Sequence, residues 1–121
     1  MIPGRQAIGQ AGEELAARWL ERLGYRIVCR NYRCREGEID LVAEDAGELV
    51  FVEVRTRREG GLVSPEESVS RRKQQRIVRA AEHYLSTVDG YERAWRVDVV
   101  AIEVDRVGRV RRVEHLRSVV G

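Results

Sequence analysis

The 121-residue chain predicts an α/β fold, a mixed sheet flanked by helices, with elements in the order αβββαβ. Three observations carry this. An amphipathic helical period opens the chain, three strand-like segments follow in direct succession, and a second helical stretch precedes another apolar strand. Strands on both sides of a helix are the pattern of a sheet layered with helices.

Each element has its own signal. At 100° per residue, Ile8, Leu15, Ala16, Trp19, Leu20 and Leu23 share one arc, which predicts a helix over 6–23. Gly24 ends it, since glycine enters the left-handed cap conformation without steric cost. Tyr25–Tyr32 reads as a first strand. Glu38–Glu44 and Glu48–Arg57 alternate with period two around Ala46-Gly47, the mark of a hairpin. A second helix falls between Ser64 and Thr87. Ser64-Pro65-Glu66-Glu67 resembles a capping box with proline at the first helical position, and Ser70 is a rival cap. Trp95–Val104 is an apolar strand and Arg109–Val113 a weaker one; the segment 105–121 is otherwise a tail without a place. No repeat or linker interrupts the chain, so one domain over 1–121 is expected, its core at about 4–104.

Composition narrows the function classes. Apolar residues make up 43%, enough for a packed core, so wholesale disorder is excluded. Apolar runs such as Leu49–Val52 are too short for a signal peptide or a membrane span. A soluble, cytoplasmic protein with no membrane partner is expected. Cys29 and Cys34, five apart on a strand, should face opposite sides, so free thiols are expected rather than a disulfide. With His83 and His115 they could formally make four zinc ligands, but the paired short spacings of zinc sites are missing.

The net charge of +2 hides blocks of opposite sign. Residues 1–35 carry +4, residues 36–53 carry −7 with no base at all, and residues 54–79 carry +5. The basic residues are 21 Arg and one Lys, Lys73. An acidic hairpin between Arg-rich flanks can neutralise itself by surface ion pairing, or it can hold a cation inside a phosphate-binding surface.

The hairpin concentrates the candidates. A two-residue loop at Ala46-Gly47 sets Asp40 opposite Glu53 on one face, with β-carbons roughly 5 Å apart; a bulge in the loop would break that register. Like charges so placed destabilise a sheet unless a divalent cation lies between them, and hard carboxylate oxygens suit Mg²⁺ or Mn²⁺. Arg55 shares that face, with Glu38 nearby and Leu49 and Phe51 further back. On the first helix Glu13 lies at the edge of the apolar arc and can turn inward, whereas Glu14 should face solvent. On the second, Lys73 follows the inward line of Val69, Ile77 and Ala81, while Arg72, Arg76 and Arg79 point away. Asp98, amid Val97, Val99 and Val100, should be buried and need a partner: Arg55, Lys73 or backbone amides. A structural role is favoured for it. Trp19 and Trp95 read as core residues.

These residues resemble a known pattern. Gly37-Glu38-Ile39-Asp40-Leu41-Val42 and Phe51-Val52-Glu53-Val54-Arg55-Thr56-Arg57 resemble the D…(D/E)xK core of restriction-endonuclease-like nucleases, the PD-(D/E)xK superfamily. More narrowly, Gly12-Glu13 with Ala16 and Leu20, the hairpin, Glu67-Ser68-Val69, Lys73-Gln74 and Val97–Ile102 look like the YraN family of small bacterial proteins. The resemblance covers about residues 4–104. It implies an endonuclease-like fold with Asp40, Glu53 and the Val54 carbonyl as metal ligands, and with Glu13 as a helix-borne carboxylate nearby. It also implies that position 55 is the cation that polarises water and steadies the phosphorane. Here that position is Arg rather than the superfamily's Lys. Arginine cannot deprotonate water at neutral pH but can stabilise charge bidentately, so proton removal would fall to the metal or to Lys73 reaching in from the helix.

The expectation is therefore a nuclease hydrolysing phosphodiesters with Mg²⁺ or Mn²⁺, with Asp40, Glu53, Arg55, Glu13 and Lys73 as catalytic candidates. Its partner would be nucleic acid, DNA ahead of RNA and branched or structured forms included, held by Arg57, Arg58, Arg72, Arg76 and Arg79. A nucleic-acid-binding protein that keeps the fold without cutting is the alternative, and an adaptor offering its Arg-rich face to an acidic protein the third. A homodimer would suit cleavage of two strands, although no self-association segment stands out.

Overall fold

The computed structural model of the chain describes residues 5–59, 71–88 and 93–120. Its elements are α1 (Arg5–Arg22), β1 (Arg26–Cys34), β2 (Gly37–Asp45), β3 (Glu48–Arg58), α2 (Arg71–Thr87), β4 (Trp95–Val104) and β5 (Val110–Val120). The five strands form one mixed sheet in the order β1-β2-β3-β4-β5. Only β3 and β4 are parallel, joined through α2; the other neighbours are antiparallel. The expected α/β architecture is present. The capping signals at Ser64–Glu67 and Ser70, together with Val69 and the side chain of Ile8, lie outside what is described.

The two helices cover opposite faces of the sheet, because strand side chains alternate. Ala16, Ala17 and Leu20 of α1 pack with Leu41, Ala43, Val50, Val52, Val100 and Ile102. Ile77, Ala80, Ala81, Tyr84 and Leu85 of α2 pack with Val42, Leu49, Phe51 and Val97. Phe51 is fully buried between the edges of Tyr84 and Trp95, with ring centroids 5.6 and 5.7 Å away. No helix among the described residues is long and apolar enough to cross a membrane.

Local chemistry sets the boundaries. At the end of α1, Tyr25 N–H donates to the Leu20 carbonyl and Gly24 N–H to the Glu21 carbonyl, both at 3.0 Å. Gly24 has φ +97°, so this is a Schellman ending. It places Leu23 outside the buried arc, at 49% exposure, although the helical period had put it inside. Ala46 and Gly47 both have positive φ, 51° and 83°, the signature of a type I′ turn, whose twist matches that of the strands it joins. Asp45 therefore pairs with Glu48 and Leu41 with Val52, without the bulge that would have spoiled the register.

Gly12 is where α1 comes closest to the sheet. A β-carbon there would lie 2.1 Å from Thr56 Oγ1. Gly12→Ala should therefore lower stability by about 1–3 kcal/mol through overpacking, despite Ala's helix preference of about 1 kcal/mol. Thermal denaturation checks this, and an unchanged or raised melting temperature would show that α1 can shift without cost.

The weak strand expected at Arg109–Val113 is much longer. β5 pairs along β4 from Val104↔Val110 to Val97↔Val120, so the segment read as a tail is an edge strand. It is held from beneath. Asp98, with 0% exposure, accepts from Ser118 N–H at 3.0 Å, from His115 Nε2 at 2.7 Å and from Arg96 Nε at 3.0 Å. The partners expected for Asp98 included backbone amides, and one is used; in place of Arg55 and Lys73 it pairs with Arg96 and His115. Asp98 shares its parity on β4 with Val100 and Ile102, which pack under α1, whereas Glu53 and Arg55 share theirs on β3 with Phe51, which packs under α2.

Candidate active site

The site lies where the central hairpin comes apart. The β2–β3 ladder ends at Leu41↔Val52, and beyond it Val54 N–H donates to Asp40 Oδ2 at 2.8 Å. A side chain thus replaces a ladder carbonyl and the two strands splay. Ile39 and Leu41, of equal parity, pack in the α2 and α1 clusters respectively, so β2 changes face at Asp40. Across β1, Asn31 sits between the pairs Arg30↔Leu41 and Tyr32↔Ile39 and has φ +53°, a left-handed conformation that asparagine tolerates better than most residues.

This irregularity lets Asp40 meet groups from both sides. Asp40 and Glu53 line one cleft, close enough that the Asp40 charge raises the Glu53 pKa. Glu13, from α1, is close enough that Asp40 and Glu38 both raise its pKa in addition to burial, while Asn31 and Arg30 pull it down. Glu14, in contrast, is 45% exposed and pairs with Arg18 and Arg30. The inward turn expected of Glu13 and the outward one of Glu14 are both present.

A cleft of about 530 Å³ opens over the pair, lined by Glu38, Asp40, Glu53 and Arg55 of the hairpin, Arg33 and Cys34 of β1, and Lys73, Arg76 and Ile77 of α2. Burial raises the Glu53 carboxyl to about 8, and the adjacent Asp40 adds to this against the pull of Arg55 and Lys73. Burial also raises Asp40, against the Val54 N–H that favours its charged form. Two half-buried neighbouring carboxyls resist ionising together, since each charge disfavours the other. Such a pair accepts a divalent cation in the proton's place. Mg²⁺ keeps several waters and needs only one or two carboxylates, so the pair fits it, although no group of three His, Cys, Asp or Glu side chains converges among the described residues. Arg55 forms an ion pair with Glu53 at 3.0 Å, at 25% exposure.

The other candidates divide. Lys73 lines the cleft, as its inward line suggested, and its charge reaches Glu53. Arg76 was expected to point away, yet it is exposed and also lines the cleft, because α2 passes so close to the β1–β2 turn that a β-carbon on Gly37 would lie 3.4 Å from the Arg76 carbonyl. Arg72 and Arg79 are exposed, Arg58 is exposed and Arg57 is half-buried. Cys29 and Cys34 are free, but they do not face opposite sides. Both pack against the α2 cluster, since the burial alternation of β1 skips at Arg30-Asn31. His115 lies against Trp19 with ring centroids 5.2 Å apart, in the neighbourhood of the α1 cluster, so the four formal zinc ligands do not gather.

Sequence reading missed Arg33 and Cys34 as cleft residues and Asn31 as the left-handed residue of β1 across from Asp40. The only local signal was an asparagine in mid-strand, where β propensity is poor.

Comparison with known proteins agrees with the motifs. The model of the Uncharacterised protein family UPF0102 matches residues 12–102. A UPF0102 protein of Chloroflexus aurantiacus is 46% identical over 118 residues, covering 97% of this chain and 95% of that protein. One from Beutenbergia cavernae is 49% identical over 115 residues, covering 95% and 97%, and one from Moorella thermoacetica is 48% identical over 118 residues, covering 98% of each. With the ordered motifs of the YraN type distributed along the same span, the chain belongs to the UPF0102 family.

Proposed function

We propose that this protein is a divalent-metal-dependent nuclease that hydrolyses phosphodiester bonds of DNA. The observation that carries the reading is the carboxyl pair Asp40 and Glu53 lining one cleft, whose other charged walls include Arg33, Arg55, Lys73 and Arg76. Asp40 and Glu53, with the Val54 carbonyl, would hold Mg²⁺ or Mn²⁺. Such an ion supplies Lewis acidity and lowers the pKa of the attacking water. Arg55 lies on the strand beside Glu53, where its guanidinium can stabilise charge developing on phosphate oxygens. Lys73, on the opposite wall, can hold or deliver the proton that Arg55 cannot exchange. Glu13 closes the acidic side of the site, and the exposed arginines Arg58, Arg72 and Arg79 supply backbone contacts.

The test is a cleavage panel of linear, supercoiled, nicked, branched and single-stranded DNA with Mg²⁺ or Mn²⁺. Metal-dependent cleavage by the wild type, lost in Glu53→Ala, is the expected result. Lys73→Ala should slow cleavage roughly a hundredfold or more, the scale of general acid–base catalysis, and unchanged cleavage would remove Lys73 from the scheme.

One observation favours a second reading. The Arg55–Glu53 ion pair gives Glu53 a built-in counter-charge that competes with a metal, as expected of a protein that binds nucleic acid without cutting it. In the same panel this protein would shift DNA and leave it intact.

A further inference from the structure

From the shape and side chains of α2 we propose that the bound nucleic acid is a B-form DNA duplex, with α2 seated in its major groove. The proposal rests on the nucleic-acid reading above and names the form of the ligand.

α2 is fastened to the sheet along one side by Ile77, Ala80, Ala81, Tyr84 and Leu85. Its opposite side carries Arg72, Gln75 and Arg79, all exposed. At spacings of three and four residues they form one stripe, spanning about 10 Å of helix axis at 1.5 Å per residue. That length covers about three base-pair steps of 3.4 Å. Arginine and glutamine are the side chains that pair bidentately with guanine and adenine edges in the major groove.

The helix is also a ridge with a groove along one flank. On one flank is the cleft of about 530 Å³, with Lys73 and Arg76 on its α2 wall. Toward the other flank, and reaching the stripe at Gln75 and Arg79, is a shallow hollow of about 330 Å³ whose described lining is α2 alone, with Arg71 as its flank cation and Glu82 at its far end. Between Arg71 and Arg79 α2 carries five cations and no acid. A ridge with cations on both flanks matches a ligand with two parallel rows of phosphates and a gap between them. The gap must admit a helix about 10–12 Å across. The B-DNA major groove, about 12 Å wide, does so, whereas the major groove of A-form RNA is too narrow for side chains to read. A phosphate of the strand beside Lys73 and Arg76 would then face Asp40 and Glu53.

The test is equilibrium binding of the full chain in chelator, so that cleavage plays no part. The probes are a short DNA duplex, its RNA counterpart, the same DNA with glucosylated hydroxymethylcytosine filling the major groove, and the plain duplex presaturated with a minor-groove ligand of the distamycin class. The expected result is loss of roughly tenfold or more in affinity on glucosylation, on change to RNA, and in Arg72→Ala/Gln75→Ala/Arg79→Ala, with the minor-groove ligand without effect. Salt-dependent binding that ignores glucosylation, treats RNA equally or is displaced by the minor-groove ligand overturns the placement of α2 and leaves the nucleic-acid reading standing. Absence of binding to every probe at low salt overturns both. The arms that use modified DNA need no protein variant, so they decide the matter even if the triple variant folds poorly.

Discussion

Asp40→Asn is expected to lose divalent-cation binding by about a hundredfold or more while the protein stays folded. Replacing groups that merely orient a metal ligand costs roughly 10–100-fold in affinity, and a direct carboxylate ligand should cost at least as much. The fold should survive because asparagine can still accept the Val54 N–H, the bond of 2.8 Å that anchors β3 where the hairpin splays. Removing one of two facing carboxyls also relieves repulsion, so the metal-free variant should melt at or above the wild-type temperature. Calorimetric titration with Mn²⁺ alongside thermal denaturation separates the outcomes. Undiminished Mn²⁺ binding by a folded Asp40→Asn protein would remove the carboxyl pair as the metal site.

The same pair gives a pH dependence. Glu53 is raised to about 8 in the folded protein, from 4.5. Between those values the folded chain keeps a proton that the unfolded chain has released, so this group makes stability fall as pH rises through that window. Glu53→Gln should therefore gain stability relative to wild type as pH climbs from 5 to 8. Metal binding must displace the Glu53 proton, so affinity should rise by up to about tenfold per pH unit below 8, with proton release visible in buffers of different ionisation enthalpy.

Asp98→Ala should be the most damaging substitution for stability, by about 3–5 kcal/mol, the cost of breaking a buried ion pair from one side. Asp98 is fully buried and meets Arg96, His115 and the Ser118 amide. Arg96 is in turn bonded to Glu48 and to the Tyr25 hydroxyl. Burial alone would raise the Asp98 pKa, but His115, the Ser118 amide and Arg96 together hold it below the usual 3.8. The sign follows: a depressed carboxyl pKa contributes stability that is present above about pH 4 and is lost as pH falls through the lower, folded value. Acid unfolding should begin at higher pH in Asp98→Asn, and β5 amides should exchange faster than those of β2 and β3. A variant with unchanged melting temperature and unchanged β5 protection would show that β5 is held by its ladder alone. No loss of metal binding is expected, because Asp98 shares its side of the sheet with the α1 cluster.

Much of the candidate site was legible because its determinants are local. Ala46-Gly47 dictates a two-residue turn, and that turn carries the register along the strands to Leu41 and Val52, the residues next to Asp40 and Glu53. Helical period alone turned Glu13 and Lys73 inward. Other features were hidden because they depend on chain segments far apart in sequence. The skip at Arg30-Asn31 brought Cys29 and Cys34 to one side, defeating a count that assumes strict alternation. The close passage of α2 over Gly37 drew Arg76 into the cleft although its helical angle pointed outward. The length of β5 could not be read from Arg109–Val120, where charged residues dilute the strand pattern, since its pairing is decided by β4 and by Asp98 beneath it.

By itself the sequence determined the αβββαβ order, the hairpin register and the like-charged pair that invites a cation, since periodicity, turn chemistry and glycine conformation act within a few residues. Only the tertiary structure decided that the hairpin splays at Asp40, that Arg33 and Arg76 join Arg55 and Lys73 around the carboxyls, and that the C-terminal segment becomes a strand latched through Asp98. Those outcomes follow from packing two helices on opposite faces of one twisted sheet, where the close approach of distant segments, rather than local preference, sets which side chains share a cleft.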